Sequence, residues 1–244
     1  MLNVVRKLNM INNLYIIRKM THYTATQEQG HGFLREDQVK SLTFGLPCMK
    51  KQDTNTHDIP SSLNSFNNNE SISIKTTMSN TVCCGDLLRI YEYKKELDEG
   101  KEITMIVIKQ KQADNIKNII NILEIKITPE FWRCLFGEDG DEIFPELSQY
   151  VNYVKSIPNG PEAQEESKEL RLSWAAFLKE DYNQAITINP KVDSKSQRRV
   201  QCSFSLNNVA IQEFITKDSM REHNQPNICR NIQIPIGISS KKRK

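Results

Sequence analysis

Between Thr56 and Leu88 the chain gathers side chains suited to chemistry. Asp58 stands two residues before Pro60, and an Asn-rich stretch separates it from the run Glu70-Ser71-Ile72-Ser73-Ile74-Lys75. Polar and apolar residues that alternate in this way mark a half-buried strand. The strand puts Ser71, Ser73 and Lys75 on one face and Ile72 and Ile74 on the other. Carboxylates offer hard oxygen ligands to a divalent cation such as Mg²⁺. A cation so held lowers the pKa of bound water and neutralises charge that builds in a transition state. The chemistry open to this stretch is therefore metal-assisted hydrolysis. Other chemistries lack their residues: there is no Gly-rich phosphate loop, no GxSxG elbow, no HxxxH spacing and no CxxC pair.

An acid, a short gap, a strand ending in lysine and a helix behind it together resemble the PD-(D/E)xK nuclease superfamily, which includes the type II restriction endonucleases. The resemblance covers about residues 31–127 and implies a restriction-endonuclease-like α/β core, a mixed sheet flanked by helices. It implies that Asp58 is the central metal ligand, that the Ile74 carbonyl completes the metal shell, and that Lys75 positions or polarises the attacking water. Glu36, on the preceding helix, resembles the glutamate that many members contribute to a second metal or its waters. The expected activity is Mg²⁺-dependent hydrolysis of double-stranded DNA, with Mn²⁺ as a substitute ion, by a homodimer that needs no nucleotide cofactor. The sequence departs from the pattern at Ser73, where the family has Asp or Glu. A Ser-x-Lys subgroup draws its acid from the following helix, which here offers Asp86 and Glu92. Asp86 equally suits a helix N-terminus, where an acid is favoured. Glu70 lies an odd five residues from Lys75, so it reaches the site only through a bulge.

A second set, Asp114 with Glu124-Ile125-Lys126, contains a literal ExK, but an apolar strand rather than a helix precedes it. The first set is preferred. Downstream, Lys191, Lys195, Arg198, Arg199 and Gln201 cluster in and beside a turn that enters a strand. Arg reads guanine and Gln reads adenine through paired hydrogen bonds, and the same cations hold phosphates. Two other functions stay open: a non-catalytic DNA-binding protein on a degenerate nuclease fold, and a protein-interaction module in which Asp58 and Lys75 form a surface ion pair.

The elements that must position these residues can be read in outline. His31–Leu46 patterns as a helix with Glu36 on its polar side, and Gly85–Glu99 as an amphipathic helix. Ile103–Lys109 and residues 118–127 pattern as strands, Pro129 opens a short helix, and residues 141–156 and 161–182 read as helices. Ala185–Asn189 and Arg198–Leu206 read as strands, and Trp132 and Trp174 as core. The 244 residues accommodate one domain, residues 28–215, with 31–127 as catalytic core and 128–215 as recognition region. A basic arm (1–27) and a polar, basic tail (216–244) flank it. Lys and Arg exceed Asp and Glu by only 33 to 30, so any DNA contact must be local. The six cysteines form no metal-ligand pattern and read as free thiols of a soluble intracellular protein, in the cytoplasm or a nucleus. No apolar run reaches the roughly 18 residues of a membrane span.

Overall fold

A computed structural model describes residues 30–46, 56–137, 140–156, 185–191 and 199–239, with short helical pieces between 165 and 173. Its order is α1 (Gly30–Phe44), a 3₁₀ turn (Ser61–Leu63), β1 (Glu70–Thr77), β2 (Thr81–Asp86), α2 (Leu87–Asp98), β3 (Glu102–Ala113) and β4 (Ile116–Ile127). There follow α3 (Pro129–Phe136), α4 (Gly140–Ser156), β5 (Ile186–Lys191), β6 (Arg199–Ser205), α5 (Val209–Gln212), β7 (Ile215–Asp218) and α6 (Ser219–His223). The chain closes with β8 (Ile228–Cys229), β9 (Ile232–Gln233) and β10 (Gly237–Ser239).

The expected mixed sheet flanked by helices is present. β1 and β3 run parallel and in unbroken register from Glu70↔Glu102 to Thr77↔Lys109, and α2 lies in the crossover between them. A parallel pair requires such a crossover, whereas β3 and β4 need only the two-residue turn Asp114-Asn115. β4 then takes β10 against its first residues and β7 near its end. Both faces of β3 are covered, which explains its continuous apolar run. Ile106 and Ile108 join Ile72, Ile74, Val39 and Phe44 on the α1 side. Ile103, Met105 and Val107 join residues of α2, α3, α4 and a second, antiparallel sheet β2-β6-β5 on the other.

Several sequence expectations change. The Gly85–Glu99 helix begins two residues later, because Gly85 belongs to β2. It sits at φ 94° beside a bulge, a conformation that favours glycine. In α1 the buried stripe is Arg35, Val39 and Thr43, while Leu34 and Leu42 are exposed. Arg35 is fully buried because it donates to the carbonyls of Lys117 (3.0 Å), Pro235 and Ile236 (both 2.7 Å). Residues 216–239 are not a tail: Cys229, Ile234 and Ile238 are buried against the sheet, and Arg230 enters it as an ion-pair centre. Trp132 is core, while Trp174, most of 161–182, residues 1–29 and the terminal Lys241–Lys244 lie outside the described residues. Cys83, Cys84, Cys134, Cys202 and Cys229 are free thiols. Among the described residues no helix is long and apolar enough to cross a membrane.

Candidate functional site

Register explains how Asp58 reaches its place. Ile59 exchanges both backbone hydrogen bonds with Ile72 (3.0 and 2.8 Å), so the antiparallel pairing sets Asp58 beside Ser73. One pair further on, the ladder would give the Ile74 N–H a backbone carbonyl. Instead that N–H donates to Asp58 Oδ2 at 2.6 Å. The Ser73 hydroxyl donates to the same oxygen at 3.3 Å, and Lys75 Nζ lies 3.6 Å from it. Because N–H and C=O of one strand residue point to the same edge, the Ile74 carbonyl also faces this edge.

The Asp58 and Lys75 side chains remain 22% and 21% exposed, enough for solvent to reach the pair. Burial would lower the Lys75 pKa, but Asp58, then Tyr93 and Glu36, outweigh it and hold the amine above its ordinary value. Lys75 is therefore an ammonium at neutral pH. Glu36, delivered by α1, is pushed up to about 7, first by burial and then by the negative charge of Asp58. Glu36 is thus half-buried beside the site rather than on a solvated helix face.

Helix α2 grips the segment that carries Asp58. Thr56 donates to Glu92 (2.9 Å), and His57 Nε2 lies 2.8 Å from Glu96 Oε1. The His57 ring stacks on Tyr93 at 4.7 Å. Tyr93 and Ser73 share a hydrogen bond, and burial raises the Tyr93 pKa, which keeps the phenol neutral. The sequence gave no pointer to His57, which reads as an exposed loop histidine but is buried, its Nδ1 without a partner. Tyr93 was detectable as the last of the buried stripe Leu87, Ile90, Tyr93.

The remaining candidate acids lie elsewhere. β1 has no bulge, so Glu70 points to the opposite face. There it receives a two-pronged guanidinium contact from Arg230 (2.8 and 2.9 Å), with Thr104 and Asn64 adding hydrogen bonds. Asp86 caps α2, accepting from the Leu88 N–H at 3.0 Å. The second set is not assembled. Asp114 occupies the exposed tip of the β3–β4 hairpin, ten residues along the strand from Glu124, a distance of about 30 Å. Glu124 is buried against Arg230 (3.1 Å), and Lys126 makes an exposed pair with Glu102 at 2.6 Å.

Of the basic cluster, Lys191 pairs directly with Arg199 across β5 and β6, and Gln201 lies two residues along β6 on the same outward face. Lys195 and Arg198 fall outside the described residues. The outer face also carries Thr187, Asn189, Ser203 and Ser205, all polar, while the inner face packs into the core.

A divalent cation fits the first set in part. Asp58, Glu36 and the Ile74 carbonyl supply oxygen donors at one edge, the ligand type that Mg²⁺ prefers. Among the described residues no group of three or more His, Cys, Asp or Glu side chains is arranged to hold a metal ion. Comparison with protein-family models, curated proteins and solved structures found no match to this chain.

Proposed function

We propose that this chain is a Mg²⁺-dependent endonuclease acting on double-stranded DNA, with a restriction-endonuclease-like core formed by α1, the Asp58 segment, β1, α2 and β3. The observation that carries the reading is the convergence of Asp58, Lys75 and the Ile74 main chain at one strand edge, with Glu36 facing them. When bound, the cation would supply an activated water and neutralise charge on the scissile phosphate. Asp58, Glu36 and the Ile74 carbonyl would hold it. The Lys75 ammonium cannot accept a proton while charged; it donates hydrogen bonds to the attacking water or a phosphate oxygen and stabilises negative charge there. The Ile74 N–H and Ser73 fix one Asp58 oxygen, leaving the carboxylate oriented before substrate arrives. The outward face of β5 and β6, through Lys191, Arg199 and Gln201, is the proposed DNA contact, with a homodimer matching a palindromic site.

A second reading is a DNA-binding protein without catalysis. The neutral Ser73 and the absence of a three-ligand group among the described residues favour it. Plasmid DNA with Mg²⁺, compared for wild type, Lys75→Ala, Lys126→Ala and an EDTA control, decides between them. Discrete bands from wild type and Lys126→Ala, absent with Lys75→Ala and EDTA, are expected. Intact plasmid throughout, with DNA still shifted on a gel, would establish the second reading.

A further inference from the structure

The acids around the site are few because the fold engages the others. Glu70 points away to Arg230, Asp86 caps α2, Glu92 binds Thr56 and Glu96 binds His57. Where a further acid would stand beside Lys75, β1 and α2 instead present two hydroxyls, Ser73 and Tyr93, hydrogen-bonded to each other. This pair has little room to move. Ser73 is 1% exposed, and the Tyr93 ring, 2% exposed, is clamped by His57 and through it by Glu96.

We propose that the site takes one divalent cation rather than two, and that the Ser73–Tyr93 hydroxyl pair closes the place a second ion would need. The inference rests on the metal-dependent reading above and specifies its stoichiometry. Charge supports it. Ionised Asp58 and Glu36 against the Lys75 ammonium leave a formal −1, which one divalent ion turns to +1 and two would turn to +3. Two-metal sites hold their ions about 4 Å apart, and repulsion at that separation requires carboxylates that this edge lacks. Hydroxyls that stay protonated can orient Lys75 but cannot offset a second dication.

The test is a count of bound Mn²⁺ on the full chain without DNA, by calorimetry and by electron spin resonance of the free ion. Plasmid cleavage is scored on the same preparations. One ion per chain, weakened more than about tenfold by Asp58→Asn, is expected. The double variant Ser73→Asp/Tyr93→Phe restores an acid and removes the phenol oxygen, and should bind about tenfold tighter or take a second ion. Two ions on wild type would overturn this inference while leaving the metal-dependent reading intact. So would one ion that Asp58→Asn fails to weaken, since it would lie elsewhere. No ion at all would overturn both, and cleavage without EDTA sensitivity would identify that case separately. If the double variant does not fold, the wild-type count and Asp58→Asn still decide.

Discussion

Arg230→Met tests what fastens the C-terminal segment to the sheet. Arg230 sits at φ 47° in the β8–β9 turn, between the rings of Phe44 and Phe66 at 5.4 Å each. It bridges Glu70 and Glu124, which are 8% and 7% exposed. Methionine keeps an unbranched stem between the rings and retains the backbone strain, so the change reports on the guanidinium. Removing one partner of a buried pair costs about 3–5 kcal/mol, because a charge is left uncompensated. Thr104 and Asn64 still hydrogen-bond Glu70, which points to the lower end, about 3 kcal/mol. That is a large part of the roughly 5–15 kcal/mol that stabilises a domain. The loss should depend on pH. Without Arg230 both carboxyls have folded pKa values above their unfolded ones, so the variant is favoured at low pH and loses stability as pH rises. Urea unfolding at pH 7.5 and pH 5 should show a gap of about 3 kcal/mol that narrows at pH 5. A gap below about 1 kcal/mol, or one independent of pH, would refute the reasoning.

Glu36→Gln should make the protein without metal more stable at neutral pH. The folded pKa of about 7 lies above the unfolded 4.5, so the wild-type contribution is complete below pH 4.5 and lost as pH rises through 7. Discounted for partial exposure, the variant should gain about 2 kcal/mol on wild type between pH 4.5 and pH 8, measured by urea unfolding with EDTA. Arg35→Met leaves three carbonyls without their donor and should speed amide exchange at Ile119 and Gly237–Ser239 by at least about tenfold, read by mass spectrometry. Lys126→Ala breaks only an exposed pair with Glu102 and should leave the unfolding midpoint within about 0.5 kcal/mol of wild type.

Local pattern showed those parts of the fold that rest on local periodicity. The alternation of Glu70–Lys75, the apolar run of β3 and the Thr128-Pro129 start of α3 each rest on neighbours in sequence. β2 was hidden because its strand character ends in Gly85 and Asp86, residues that also suit a helix entry. Arg35 misled because a guanidinium that finds three carbonyls can occupy a core position that its polarity argues against. Residues 216–239 look like a polar tail because their apolar residues are spaced singly. What binds them is Arg230 meeting acids 106 and 160 positions away, a pairing no window of sequence displays. At the candidate site, Asp58, Lys75 and Glu36 could be named from type and spacing. The contributions of His57 and Tyr93 depend on α2 folding back over the Asp58 segment.

The central claim is that the Asp58 carboxylate drives phosphodiester cleavage. Asp58→Asn retains the shape and an oxygen that can accept from the Ile74 N–H, but removes the charge. The most direct measurement is its single-turnover cleavage rate on a duplex substrate with Mg²⁺, beside wild type and with identical circular dichroism. The account predicts a loss of at least about 100-fold, with 5′-phosphate and 3′-hydroxyl ends on the wild-type product. Equal rates for the two proteins would contradict it.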